Sequence, residues 1–130
     1  MYQKITRGIA ITVRPSYLEE QSSPDENYFV WAYNIVIENK GEQTVQLQSR
    51  HWKITDARGR VQEVQGPGVV GEQPVLGPGE RFEYTSGTPL PTSSGFMVGS
   101  YKMVSHDGDS FDVAIPAFSL DSPHEARRVN

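Results

Sequence analysis

The sequence contains no cysteine in its 130 residues, and this absence excludes several kinds of chemistry at once. Disulfide bonds, thiolate nucleophiles and cysteine-ligated zinc sites all require that side chain. A chain without disulfides is compatible with a reducing compartment. The N-terminal residues also lack the continuous apolar segment of a secretory signal, because Lys4, Arg7 and Arg14 interrupt it. We therefore expect a cytoplasmic protein.

Long apolar runs and an excess of basic residues are missing as well. No stretch approaches the about 20 consecutive apolar residues that a membrane span requires, so we expect no membrane insertion. The 12 Lys and Arg residues against 16 Asp and Glu residues give a net charge of -4, and neither sign forms a long block. Nucleic-acid binding normally shows a basic footprint. We therefore expect no nucleic-acid partner.

Candidate catalytic groups are few and scattered. A Ser-His-Asp set can be drawn on paper from Ser49, His51 and Asp56. The G-x-S-x-G elbow that exposes a nucleophilic serine is absent, however, and no cysteine exists to replace it. We therefore predict that the protein is not an enzyme, that it has no catalytic residues and that it needs no cofactor.

Metal binding is equally weakly indicated, because the three histidines lack His-x-His or His-x-x-x-His spacing. His106, Asp107 and Asp109 lie together in a probable hairpin, which leaves direct binding of magnesium or cobalt as a weaker hypothesis. His124 belongs with Arg127 and Arg128 to a polar C-terminal segment. We expect that segment to fray.

Apolar residues recur at every second position, which predicts β-strands. The clearest example is the segment from Tyr28 to Asn39, where Phe29, Trp31, Tyr33, Ile35 and Ile37 share one face. Roughly seven or eight such strands, separated by turn residues, predict an all-β antiparallel sandwich. We assign residues 1–120 to one domain and residues 121–130 to a polar C-terminal tail.

The strand that contains His51 changes register partway along. Val45 and Leu47 place apolar side chains at odd positions, whereas Trp52 continues the pattern at even ones. One extra residue reconciles the two, so we predict a β-bulge near Gln48 to His51. Bulges often re-aim side chains at functional surfaces, which makes His51 a candidate binding residue. The simpler interpretation is a histidine hydrogen-bonded at the sheet surface.

Residues 66–79 contain five glycines and three prolines and predict a long ordered loop. Its first six residues match the G-x-G-x-x-G string of dinucleotide-binding proteins, but that motif needs a helix after it. Pro74, Gly77 and Pro78 leave no room for one. The simpler interpretation is a set of glycines with unusual φ angles. The alternative is a phosphate nest formed by the amides of residues 68–71.

Irregular loops are where binding sites lie on sandwich scaffolds. Our leading hypothesis is therefore a non-enzymatic interaction module that binds a protein partner or a small ligand. The alternative is a binder of pyrophosphate or nucleotide polyphosphates. An exposed edge strand leaves a homodimer open. The candidate binding residues are His51, Trp52, Gly66, Gly68, Val69, Val70, Gly71 and Glu72.

Several blocks of the sequence closely resemble the ApaG family, and together they cover nearly the whole chain. These blocks are His51-Trp52-x-Ile54-x-Asp56-Ala57-x-Gly59, Glu63-Val64-x-Gly66-x-Gly68-Val69-Val70-Gly71-Glu72-Gln73-Pro74, Leu76-x-Pro78-Gly79-Glu80, Tyr84-x-Ser86, Pro89-Leu90-x-Thr92, Gly95-x-Met97-x-Gly99-x-Tyr101-x-Met103 and Phe111-x-Val113-x-Ile115-Pro116-x-Phe118.

The resemblance implies an immunoglobulin-like, fibronectin type III-like β-sandwich. It also implies a bacterial protein usually encoded beside a diadenosine tetraphosphatase and associated with cobalt resistance and magnesium efflux. Related domains in eukaryotic F-box proteins and in a DNA-polymerase-interacting protein serve protein contacts. A fold of this kind hosts unrelated functions, so the function must be argued from the site.

Overall fold

The computed structural model describes residues 1–124. Within them no helix has the length and apolar character needed to cross a membrane. Two short 3-10 turns, Glu19–Gln21 and Pro24–Glu26, follow the second strand. The strands are β1 (Tyr2–Thr6), β2 (Ile9–Tyr17), β3 (Phe29–Asn39), β4 (Val45–Asp56), β5 (Val61–Pro67), β6 (Val75–Leu76), β7 (Arg81–Leu90), β8 (Gly95–Ser105) and β9 (Ser110–Leu120).

The strands form two antiparallel sheets that pack face to face. One sheet has the order β1-β2-β3-β7 and the other the order β5-β4-β8-β9, with β6 paired to β4. This confirms the predicted immunoglobulin or fibronectin type III-like sandwich. The described residues form nine strands rather than seven or eight. The sequence pattern misses β1 because its residues are largely exposed. Strand β6 is a two-residue extended element inside the predicted loop of residues 66–79.

The core lies between the two sheets and follows the predicted alternation. The odd-numbered side chains of β3 are buried, and Ile35 and Ile37 are fully so. Tyr101, Met103 and Val113 approach them from the second sheet and are also fully buried. Burying side chains of this size contributes about 1.5–3 kcal/mol each. The core therefore holds the second sheet in a fixed register against the first.

Two strands continue through prolines, residues that cannot donate a backbone hydrogen bond to a neighbouring strand. Pro15 lies in β2 opposite Tyr33, and Pro89 lies in β7 opposite Val30. The pairing of β1 with β2 ends at Val13, so β2 is an edge strand at Pro15, and β7 is an edge strand throughout. An edge strand tolerates a residue without an N–H group, since one side of it needs no donor.

The first residues after β9 are held against the sandwich. The Trp31 indole N–H donates to the carbonyl of Asp121 at 2.8 Å, and the Ser122 hydroxyl donates to the carbonyl of Ser93 at 2.7 Å. His124 Nε2 lies 2.9 Å from a carboxylate oxygen of Glu19. The expected fraying is therefore wrong for His124. Residues 125–130, which include Arg127 and Arg128, lie outside the described part of the chain.

Candidate functional site

The predicted bulge is confirmed, and it lies at Gln48 in β4. Leu47 pairs with Met103 of β8 and Ser49 pairs with Lys102, so Gln48 is the extra residue. Beyond it the even-numbered side chains point inward, because Arg50 pairs with the buried Tyr101. The side chain that the bulge turns toward the interior is therefore that of Arg50. The sequence argument singled out its neighbour His51 instead.

His51 lies on the outer face of the second sheet. Its Nε2 atom is 2.7 Å from a carboxylate oxygen of Glu63 on the neighbouring strand. The hydrogen bond from His51 is the main reason why the pKa of Glu63 is lowered, and Lys53 assists. This is the simpler of the two interpretations drawn from the sequence, a histidine hydrogen-bonded at the sheet surface.

A cavity of about 590 Å³ lies beside His51 on this outer face. Residues of both charges line it, including Arg50, Lys102 and Asp112, together with Ser49, Gln65 and Ser100. No single sign of charge dominates the cavity, so it presents mixed hydrogen-bonding groups rather than a site for one ion.

Trp52 is a core residue. It is only 3% exposed and packs against Tyr33 and Phe118, with ring centroids 5.5 and 6.0 Å away. Gly99 makes room for it, because a Cβ there would lie 2.6 Å from the indole ring. The expectation that Trp52 and His51 share one binding surface is therefore wrong, since they occupy opposite faces of the sheet.

The segment after β5, residues 66–72, is an ordered turn that we call the glycine loop. Val69 and Glu72 exchange backbone hydrogen bonds of 2.8 and 2.9 Å, and the amide of Gly68 donates to the carbonyl of Gln48 at 2.8 Å. The side chain of Val69 is fully buried and belongs to the core. The predicted ordered loop is thus confirmed, with Val69 as its anchor.

Each glycine of the G-x-G-x-x-G string has a structural reason. A Cβ on Gly66 would lie 3.1 Å from Nη1 of Arg50. A Cβ on Gly68 would lie 2.3 Å from the carbonyl oxygen of Glu72, and its φ is +63°. Gly71 has a φ of +81°, a conformation that side chains disfavour. Gly68 and Gly71 therefore confirm the interpretation that the glycines serve unusual backbone geometry, whereas Gly66 lies in β5 without a positive φ and leaves room for Arg50.

The backbone amides of the glycine loop do not form the nest of four that a phosphate would need. The amide of Gly68 donates to Gln48 and that of Val69 donates to Glu72. Only the amides of Val70 and Gly71 donate to no residue between 1 and 124. The hypothesis of a cradle built from residues 68–71 is therefore wrong as stated, because half of its donors are already used.

Val70 lies at the tip of the glycine loop in a strained conformation. Its φ is +42°, while its side chain is 55% exposed. Positive φ is a genuine outlier for a β-branched residue, and such strain costs about 1–3 kcal/mol. Because the side chain is largely exposed, little internal packing compensates for this strain.

A second cavity, of about 160 Å³, lies beneath the glycine loop between β4 and the edge strand β7. We call it the inner cleft. Nη1 of Arg50 reaches under the loop and donates to the carbonyls of Pro67 and Gly68 at 3.1 and 3.0 Å. The residues that line the cleft are Tyr33, Arg50, Trp52, Val69, Val70, Tyr84 and Ser86.

Tyrosine hydroxyls accompany Arg50 in and behind the inner cleft. The hydroxyls of Tyr84 and Tyr101 are 2.5 Å apart. Burial raises the pKa of both well above the ordinary value. Burial also raises the pKa of Tyr33, against the opposing effects of the Ser86 hydroxyl and the Arg50 charge. These phenols therefore stay neutral at physiological pH and act as hydrogen-bonding groups.

Arg50 is the site residue that the sequence argument missed. The signal was present, because the even register beyond the bulge puts residue 50 on the same face as Trp52 and Ile54. A charged residue at a core-facing position needs hydrogen-bonding partners. The alternation of apolar residues alone does not mark this position, because arginine is not an apolar residue.

The residues of the hypothetical metal site at the β8–β9 turn are engaged by other protein groups or turned to solvent. Asp107 accepts a hydrogen bond from the Ser105 hydroxyl, and Asp109 is paired with Arg7 at 3.0 Å. His106 is exposed on the same turn. In the part of the chain that the structure describes, no three His, Asp or Glu side chains are placed to hold a metal ion together.

Comparison with known proteins adds a family context to this geometry. The family model described as the ApaG domain matches residues 19–105. The chain is 69% identical to Protein ApaG of Rhodospirillum centenum and 68% identical to Protein ApaG of Paramagnetospirillum magneticum, over the full length of all three chains. A crystal structure of a Bordetella pertussis protein described as ApaA matches with a TM-score of 0.87 and 51% identity, covering 89% of this chain and 94% of that one.

Proposed function

The chain belongs to the ApaG domain family, and from this premise we propose that it is a non-enzymatic interaction module. In this proposal a protein partner binds to the outer surface of the glycine loop, with Val70 at the centre of the contact. The module acts in the cytoplasm, and its partner is neither a nucleic acid nor a membrane. Homodimerisation through an edge strand stays a prediction.

The observation that carries the proposal is the placement of Val70. Asn or Gly would adopt the positive φ of this turn position with less strain than valine does. Valine instead presents an aliphatic side chain to solvent on a backbone fixed by the Val69–Glu72 hydrogen bonds and by the buried Val69. Strained backbone held by its surroundings is characteristic of binding sites, and a rigid apolar tip loses little entropy on binding.

The titratable groups near the loop support a binding role rather than chemistry. The buried tyrosines have pKa values that are raised, so they are further from ionisation at neutral pH than ordinary tyrosines. General acid–base catalysis works best with a group whose pKa lies near the working pH. His51, the nearest histidine in the sequence, is turned to the opposite face of the sheet and bound to Glu63.

The link to cobalt resistance and magnesium efflux that the family resemblance implies is included in the proposal as an indirect one. The carboxylates of the β8–β9 turn are engaged with protein groups. We therefore place the effect on metals in the partner rather than in this chain.

The experiment compares affinity capture by three forms of the protein from a lysate of the source cells. The wild type is expected to retain a specific protein that Val70→Asn loses. Val61→Asn serves as the matched control, because Val61 is 59% exposed against 55% for Val70 and lies at the far end of β5. Equal capture by all three forms would contradict the proposal.

The second candidate function is the binding of pyrophosphate or nucleotide polyphosphates by the glycine loop. It is favoured by the two amides, of Val70 and Gly71, that have no acceptor among residues 1–124. Titration with ATP, diadenosine tetraphosphate and pyrophosphate distinguishes it from the first. Shifts of those two amides with all three ligands would favour it, and unchanged resonances would remove it.

A further inference from the structure

Arg50 is a cation without a counter-ion in the described part of the chain. The ion pairs found between residues 1 and 124 all involve other arginines or histidines. The partners of Arg50 are two neutral backbone carbonyls, those of Pro67 and Gly68. A carbonyl oxygen carries only a partial charge, so the positive charge of the guanidinium is not neutralised.

The hydrogen-bonding capacity of Arg50 is also only partly used. A guanidinium has five N–H donors in a rigid planar fork. Both carbonyls bond to Nη1, which leaves Nε and Nη2 without an acceptor among residues 1–124. These two atoms form one edge of the fork, and that edge matches the two oxygens of a carboxylate or phosphate group.

The inner cleft supplies the space and the remaining groups that such an anion needs. One water needs about 10–15 Å³ of such space, so the 160 Å³ of the cleft can hold a larger occupant. Three hydroxyl-bearing residues line it in addition to Arg50, namely Tyr33, Tyr84 and Ser86. The Tyr84 hydroxyl is bonded to that of Tyr101, which leaves Tyr33 and Ser86 for an occupant. None of its lining residues is acidic, so no built-in carboxylate competes for Arg50 inside the cleft.

We propose that the inner cleft binds one oxyanion group, a carboxylate or a phosphate, through the Nε and Nη2 edge of Arg50 and the hydroxyls of Tyr33 and Ser86. Val69 and Val70 form the apolar wall on the loop side. The site shares Val70 with the outer surface of the glycine loop, but its polar groups, those of Arg50, Tyr33 and Ser86, lie beneath the loop and not on that surface.

Gly66 is part of this arrangement. The position that a Cβ on Gly66 would occupy lies 3.1 Å from Nη1 and 3.4 Å from Nη2 of Arg50, so the guanidinium lies directly against the backbone of β5. Gly66 leaves room for the guanidinium here, and the two hydrogen bonds from Nη1 to the carbonyls of Pro67 and Gly68 hold it in place. A preorganised fork gains affinity because little side-chain entropy is lost when the anion binds.

The test is a titration of isotope-labelled full-length protein at neutral pH and constant ionic strength. Sodium phosphate is added in one series and sodium acetate in another, with sodium chloride as the baseline. We expect saturable shifts of the Arg50 Nε–H resonance and of the Ser86 amide, with no matching shift of the Gly71 amide that would mark binding at the tip of the glycine loop. Saturation with phosphate but not acetate identifies a phosphate site, and saturation with acetate but not phosphate identifies a carboxylate site. Either result supports the proposal.

Variants separate the inner cleft from the rest of the surface. Arg50→Gln is expected to weaken binding by about tenfold or more, since a charge-assisted hydrogen-bond pair is lost. Ser86→Ala is expected to weaken it by roughly threefold. His51→Gln, which changes the outer face of the same sheet, is the control and should bind as the wild type does.

The proposal is overturned if the Arg50 Nε–H resonance shows no saturable shift with either anion. It is also overturned if the shifts centre on His51 and Lys102, which line the outer cavity. If Arg50→Gln does not fold, Ser86→Ala and Tyr33→Phe decide the question, because both retain the guanidinium. Wild-type affinity in both of these variants would then exclude the site.

Discussion

The glycine loop and the β8–β9 hairpin, residues 105–110, are both tight turns at strand ends, but they accommodate positive φ in opposite ways. In the hairpin the positive φ of +87° falls on Gly108, which has open space around it. In the glycine loop Gly71 has a φ of +81° in equally open space, but a φ of +42° falls on Val70, and the carbonyl of Glu72 blocks the Cβ position of Gly68. The hairpin is relaxed, whereas the loop is strained and packed.

The two turns also differ in how their polar groups are satisfied. In the hairpin the amide of Gly108 bonds to the carbonyl of Ser105, and the carboxylate of Asp107 accepts from the Ser105 hydroxyl and the Asp109 amide. The glycine loop leaves two amides free of acceptors among residues 1–124 and an aliphatic side chain in solvent. The hairpin therefore satisfies its own polar groups, whereas the glycine loop keeps donors that are unpaired within the described residues and an exposed aliphatic side chain at its tip.

Among the substitutions that test this difference, Gly68→Ala is expected to change the free energy of unfolding most. The new Cβ would lie 2.3 Å from the carbonyl oxygen of Glu72, which is backbone and cannot move aside cheaply. Strain at positive φ adds to this overlap, so we expect a loss of about 2–4 kcal/mol in the free energy of unfolding. Chemical denaturation measures it.

Gly108→Ala is the matched control for that substitution. It has a similar positive φ but nothing within 4 Å of the added Cβ, so we expect the loss of only about 1 kcal/mol that αL strain alone costs. Equal losses at Gly68 and Gly108 would show that the glycine loop can relax, and the contrast between a packed and an open turn would then be lost.

The fold could be predicted from the sequence because its strands carry their information locally. The alternation in β3 marks the core face, and the change of parity between Leu47 and Trp52 locates the bulge at Gln48. Strand β1 is not predicted by the pattern, because its residues are mostly exposed and form no apolar face. Features that depend on one strand alone follow from the sequence pattern, whereas features that depend on contacts between strands do not.

The inner cleft could not be predicted in this way. Its residues come from β3, β4, β7 and the glycine loop, and only the packing of the two sheets brings Arg50 near Tyr33 and Tyr84. The G-x-G-x-x-G string suggested a phosphate nest, yet Gly66 and Gly68 are explained by contacts with Arg50 and Glu72 that are absent from any linear motif.

Val70→Asn is expected to change the free energy of unfolding in the opposite direction from the two glycine substitutions, and by less than Gly68→Ala. Asparagine adopts positive φ more readily than a β-branched residue does. The largely exposed valine side chain has little packing to lose. We expect the free energy of unfolding to rise by about 0.5–1 kcal/mol. Val61→Asn, in a strand of ordinary φ, should instead lower it, and a gain there would show that the effect is not one of turn strain.

The smallest expected effect is a dependence on pH that separates the two turns. The hydrogen bond from Ser105 is the main reason why the pKa of Asp107 lies below its ordinary value of 3.8. A carboxylate with a lowered pKa in the folded state stabilises the protein above its unfolded pKa, and this contribution is lost as pH falls through the folded value.

The difference in urea midpoint between wild type and Asp107→Asn should therefore be constant near neutral pH and shrink in acid below about pH 4. Val70→Asn changes no charge, so the difference in urea midpoint between wild type and this variant should stay constant over the same pH range. A wild-type advantage over Asp107→Asn that persisted undiminished into strong acid would show that the carboxylate charge does not hold the hairpin together.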